Sequence, residues 1–201
     1  IAYQGKFRFE FVQDLLGIDA RYYTPEFIEL NGCANLLKAG CVFADHINTV
    51  SPSYAGEIRT AAYGEGLEGI LNARQHQLSG ILNGIDTQLY DPAATSGLAA
   101  NFSARSLVKG KAECKLALQR AVGLEENADV PIIACISRLV GHKGFSLVTD
   151  ALHEIMAMNV QMVVLGTGDW QYEAAFREAQ VQYPGRFAAQ ITYSAPLSTA
   201  I

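Results

Sequence analysis

The chain has 201 residues, half of them hydrophobic and 17% charged, with a net charge of −5. That is enough apolar material for one large core or for parts of two domains, and the acidic balance argues against a nucleic-acid footprint while leaving room for a local basic pocket. Cys33, Cys41, Cys114 and Cys135 form no C-x-x-C pair, and three of them stand in apolar stretches, as suits free thiols in a reducing compartment. No apolar run approaches the ~20 residues of a membrane span and no signal peptide opens the chain, so a cytoplasmic protein without a membrane partner is expected.

Residues 1–30 read as irregular, with apolar islands between turn signals, and Pro25 marks a turn or helix start. Leu36, Leu37, Cys41, Val42 and Ala44 fall on a helical stripe, which predicts a helix over about 33–45. Ile47–Val50 reads as a short strand, and Ser51-Pro52 opens another helix with serine as its cap. Residues 60–75 carry Gly64, Gly66 and Gly69 and read as a loop, either a plain connection or one whose amides face a ligand. From Leu78 a strand runs toward the Asn83-Gly84 turn signal. The composition then shifts toward Ala, Ser and Gly, which places a boundary at 84–90.

The second half alternates. A helix over 109–122, stopped by Gly123, precedes a strand over 131–137, a helix over about 144–158 with Leu147, Val148, Ala151, Leu152 and Ile155 on one face, a strand over 161–165, a helix over about 170–183 and a strand over 187–192. Alternation of this length means βαβ units and a parallel sheet, so the fold class is α/β.

The stretch Pro131–Phe145, PIIACISRLVGHKGF, carries the sharpest chemistry. Its apolar run reads as a buried parallel strand, and in such sheets ligands sit beyond the carboxyl ends of the strands, where Arg138 falls. Lys143 follows five residues later on a loop that leads into a helix. The arginine fork grips two oxygens and the lysine adds a compact charge, so the pair suits a phosphate-bearing substrate; a solvated arginine and a surface lysine is the alternative. Gly166-Thr167-Gly168 follows the next strand. It reads either as a tight turn or as a nucleotide contact in which the amides of Gly168 and Asp169 meet a phosphate or ribose. A dinucleotide-binding turn needs a third small residue at 171, where Gln171 stands.

These residues resemble a known family. IAYQGKF, LLKAGCVFADHINTVSPSYAGEI, GILNGID, SRLVGHKGF and VVLGTGDW are similar, in the same order, to stretches of the bacterial glycogen synthases and plant starch synthases, which are retaining glucosyltransferases of the GT-B fold. The resemblance implies parts of two Rossmann-like domains: residues 1–83 from the acceptor-side domain, 84–90 a hinge, and 91–201 from the nucleotide-sugar-binding domain. It implies glucosyl transfer from ADP-glucose to an α-1,4-glucan such as glycogen, with no cofactor and no metal. Arg138 and Lys143 match the basic pair that holds the diphosphate and steadies its charge on departure. Asn83 matches a cleft-lining asparagine beside the hinge, and Tyr3 and Gln4 fall on the acceptor side. His142 stands where the family more often shows glutamine.

Both ends read as cuts through a longer protein. The family's lysine- and glycine-rich nucleotide loop, a histidine motif and a glutamate motif are expected outside these residues, so the segment alone is expected to lack turnover. Two other classes remain open on the residues: a nucleotide-dependent oxidoreductase, disfavoured by Gln171, and a non-catalytic α/β binding module.

Overall fold

A computed structural model describes residues 1–201, which form two compact units, 1–85 and 86–201. The elements of the first unit are β1 (Lys6–Phe7), α1 (Phe9–Leu16), β2 (Glu29–Leu30), β3 (Cys33–Asn35), α2 (Leu36–Phe43), β4 (Ile47–Val50), α3 (Pro52–Glu57), α4 (Glu68–Ala73) and β5 (Leu78–Ile81). β1, β3 and β2 form a small antiparallel sheet with β3 in the middle, Phe7 and Glu29 both opposite Ala34. β4 and β5 pair in parallel, from Ile47 opposite Leu78 to Val50 opposite Ile81.

Three sequence expectations change here. The helix expected over 33–45 yields its first three residues to β3, because their backbone is paired on both sides; Asn35 then caps α2 by accepting the Lys38 amide at 2.9 Å. Residues 1–30 are not all irregular: α1 packs Val12 against Ile28 and Ala34. The glycine-bearing stretch 60–75 holds α4, whose Leu71 joins Cys41, Ile58 and Leu67 in a second cluster.

Arg74 closes the C-terminus of α2. Its guanidinium donates to the carbonyls of Cys41 at 2.8 Å, Val42 at 2.7 Å and Ala44, groups the helix cannot bond internally. A fixed cation there also opposes the negative end of the helix dipole.

The second unit contains α5 (Leu107–Val122), β6 (Ile132–Ile136), α6 (Phe145–Asp150), α7 (Leu152–Ala157), β7 (Gln161–Leu165), α8 (Trp170–Gln182), β8 (Phe187–Gln190) and α9 (Ala195–Ala200). Its three strands are parallel in the order β6-β7-β8, with β7 buried along its length. Met162 and Val164 of β7 meet Met156, Phe176 and Phe187 in one cluster, while Val163 meets Leu118, Val122 and Leu124 in another. Period-two alternation thus sends one strand into cores on both faces of the sheet, the signature of a doubly wound α/β layer.

The helix expected over 144–158 is two, α6 and α7, broken at Ala151, and Leu147 is 73% exposed instead of facing the core. The last strand stops at Gln190 rather than Thr192. At the amino end of β7 the buried Gln161 and Gln119 bond each other at 2.7 Å. Gln119 also bonds both the carbonyl and the amide of Asn127, and Gln161 the carbonyl of Glu125, so both side-chain amides are satisfied away from water. No helix is long and apolar enough to cross a membrane.

Candidate functional site

The carboxyl edge of the β6-β7-β8 sheet is built from two turns locked together. After β6 the chain runs through Ser137 and Arg138 to Leu139, which is 0% exposed, and then through a 3-10 turn, Gly141–Lys143, into α6. After β7 it makes the Gly166-Thr167-Gly168 turn into α8. The Leu139 amide donates to the Thr167 carbonyl at 3.0 Å, and the Asp169 amide donates to the Leu139 carbonyl at 2.8 Å. A methyl group at Gly166 would stand 1.9 Å from the Ser137 carbonyl oxygen, and one at Gly168 would stand 2.2 Å from that of Leu139. Both glycines are therefore demanded by the approach of the neighbouring turn, which accounts for the motif on packing grounds.

On this scaffold the Arg138 and Lys143 side chains are exposed and make no hydrogen bond or ion pair within the protein. Successive tight turns carry the backbone from one to the other: the Val140 amide bonds the Arg138 carbonyl at 3.0 Å and the Lys143 amide bonds the Val140 carbonyl at 3.0 Å. Arg138 lines a cleft of about 920 Å³ together with Thr167, Tyr193, Phe102, Ile136 and Leu165. The lining mixes apolar side chains with hydroxyls and two cations, Arg138 and Lys111, the latter 5.9 Å from the Phe102 ring centroid. That is the composition of a small-molecule site at the carboxyl edge of an open sheet.

Lys143 is not among the cleft-lining residues, and neither are Gly168 and Asp169. The ligand-facing role expected for the amides of those last two needs correction. The Gly168 amide donates to Glu173 Oε1 at 3.0 Å and the Asp169 amide is bound to Leu139, so both are engaged inside the protein. The Asp169 side chain caps no amide and is exposed.

Asn83, Tyr3 and Gln4 belong to the first unit. Asn83 is exposed beyond the end of β5 and Tyr3 is exposed near the start of the chain. Gln4 does not face a ligand: it is 3% exposed, donates to the Glu65 carbonyl at 3.0 Å and accepts from Asn35 at 2.6 Å, so its amide is a buried structural link.

Sequence reasoning missed Tyr193 and Thr167 as cleft residues. Tyr193 is 89% exposed on the loop after β8, and its signal, an aromatic just beyond the end of a parallel strand, is visible in ITYSAP. No group of three or more His, Cys, Asp or Glu gathers as a metal site. Burial pushes the Cys41 and Cys135 thiols upward in pKa, the former against a lowering by Arg74, which keeps both protonated at neutral pH.

Residues 1–73 match the family model described as the starch synthase catalytic domain. The glycogen synthase of Geobacillus stearothermophilus is 44% identical over 201 residues, 100% of this chain and 41% of that protein. The glycogen synthase of Streptococcus equi subsp. zooepidemicus is 45% identical over the same 201 residues, 42% of that protein. The chain thus spans about two fifths of the length of the curated relatives it matches. Among solved structures, the catalytic domain of Starch Synthase IV from Arabidopsis thaliana, bound to ADP and acarbose, is 32% identical with a TM-score of 0.89. That match covers 99% of this chain and 42% of the other. Identity sustained along the whole chain makes it similar throughout to the glycogen and starch synthases, and its fold is α/β of GT-B type.

Proposed function

We propose that this chain serves a cytoplasmic retaining hexosyltransferase that moves glucose from ADP-glucose to the non-reducing end of an α-1,4-glucan such as glycogen. In this reading residues 1–83 belong to the acceptor-side domain, 84–90 form a hinge, and 91–201 carry the sugar-nucleotide site. The observation that supports it most is Arg138, exposed and unpaired at the sheet's carboxyl edge and facing the cleft of about 920 Å³.

The chemistry asks for such a group. The bond from the glucosyl anomeric carbon to the phosphate oxygen breaks, its electron pair leaves with the diphosphate, and the sugar becomes oxocarbenium-like. Fixed cations aimed at the departing charge stabilise that transition state more than the ground state. Arg138 can hold two phosphate oxygens at once, and Lys143 supplies a second charge from the same loop. Tyr193 offers an aromatic face at the cleft for the base, and no step assigned to these residues needs a metal.

Calorimetric titration of the chain with ADP, UDP and NAD tests the reading. ADP is expected to bind and NAD not to. Arg138→Ala should weaken ADP by about 10- to 150-fold, the worth of a charge-assisted hydrogen bond of roughly 1.5–3 kcal/mol. Arg138→Lys should recover only part of the loss. Unchanged ADP affinity in Arg138→Ala would remove the assignment.

A further inference from the structure

Trp170 is the chain's one tryptophan, and it is 80% exposed. Its indole makes no ring contact, cation contact or hydrogen bond within the protein. A large apolar side chain displayed this openly on a folded surface is informative. Its backbone, by contrast, is held firmly. Trp170 is the first residue of α8 and directly follows Asp169, whose amide bonds the carbonyl of Leu139, the residue after Arg138. Two residues further on, Tyr172 is buried against Phe145, with ring centroids 6.1 Å apart, and Phe176 packs on the same ring at 5.7 Å. The indole is thus presented on a rigid base at the sheet edge that carries Arg138 and Lys143.

Trp170 does not line the cleft that Arg138 faces, so a ligand touching it extends beyond a nucleotide seated there. Its exposed neighbours are the Asp169 carboxylate, which caps nothing, and the Gln171 amide. A flat electron-rich face suits a hexose ring, whose C–H face carries small positive charge toward the indole while its hydroxyls stay in water.

We propose that Trp170 is a sugar-stacking subsite for the α-glucan chain on the second unit. The assignment rests on the glucan-acting function proposed above and adds a binding residue to it. An extended polymer can occupy the sugar-nucleotide cleft's surroundings and this platform together, whereas a nucleotide alone reaches only the cleft.

The test titrates maltoheptaose and, separately, ADP into the chain while following tryptophan emission, with calorimetry on the parent, Trp170→Ala and Trp170→Tyr. Maltoheptaose should shift the emission saturably and ADP should leave it unmoved. Trp170→Ala should weaken maltoheptaose about tenfold, as for loss of one aromatic anchor, while Trp170→Tyr stays close to the parent and both keep the parent's ADP affinity. The assignment is overturned if emission stays constant while calorimetry registers maltoheptaose, if maltoheptaose does not bind, or if ADP alone moves the emission. Failure of the parent chain to bind ADP strikes instead at the nucleotide reading, and the maltoheptaose arm still decides the role of Trp170.

Discussion

Replacing Gly168 by alanine attacks the joint between the two turns that carry the candidate site. The new methyl would lie 2.2 Å from the Leu139 carbonyl oxygen and 2.6 Å from its carbon, both backbone atoms, so no side-chain rotation can relieve the clash. The turns must separate by about 1 Å. The bonds at stake are Leu139 to Thr167 at 3.0 Å and Asp169 to Leu139 at 2.8 Å, each worth roughly 0.5–1.5 kcal/mol. Leu139 itself is fully buried, and loosening it forfeits part of the roughly 1.5–3 kcal/mol of an aliphatic side chain. The local cost is therefore about 2–4 kcal/mol. Hydrogen exchange at the Leu139 and Asp169 amides reads it directly: opening should become about 30- to 1,000-fold more frequent, since 1.4 kcal/mol is tenfold. Exchange within about threefold of the parent would refute the reasoning, and would mean that the two turns are not mechanically joined.

Arg74→Ala should destabilise the first unit by about 2–3 kcal/mol in urea unfolding, because three carbonyls at the end of α2 lose their donor; a change under about 0.5 kcal/mol would show that water replaces the guanidinium at no cost. Gln161→Leu should cost about 2 kcal/mol by stranding the carbonyl of Glu125 and one donor of Gln119, and a double-mutant cycle with Gln119→Leu should show coupling of about 1 kcal/mol, against zero if the two amides act independently. Burial raises the Cys41 and Cys135 thiols above their ordinary 9.0, so the folded chain holds those protons after the unfolded chain has released them. Their contribution is full below pH 9 and is lost as pH rises past it, so unfolding midpoints should fall on the alkaline side, and less so in Cys41→Ala/Cys135→Ala; identical slopes for parent and variant would count against it.

Legibility in the sequence followed the range of the interactions involved. Ile132–Ile136 announced itself as a parallel strand through local composition, which put Arg138 at the carboxyl edge of the sheet, but the burial expected of it was wrong: β6 is an edge strand paired only to β7, and Ile133 and Ile136 are exposed. Residues 33–35 did not, because a strand of three residues exists only through partners at 6–7 and 29–30 that no local pattern reveals. Gln4 was placed on the acceptor side by resemblance alone, and its bonds to Asn35, 31 residues away, and to Glu65 are long-range contacts that no local pattern shows. The break between α6 and α7 falls at Ala151, a good helix former, so nothing local marked it. Gly166 and Gly168 were visible as a turn, but the carbonyls that exclude a methyl there come from the preceding βα connection.

The interlocked turns also bear on time. Because Leu139 is bonded to Thr167 and Asp169 within the folded chain, the backbone beside Arg138 is set without a ligand, and the proposed function then asks the arginine side chain, not its backbone, to be ordered by an anion. Encounter then needs no loop rearrangement, so association should run at an ordinary protein–ligand rate limited by orientation and charge. Differences in affinity among ligands at this edge should accordingly be found in how long each one stays.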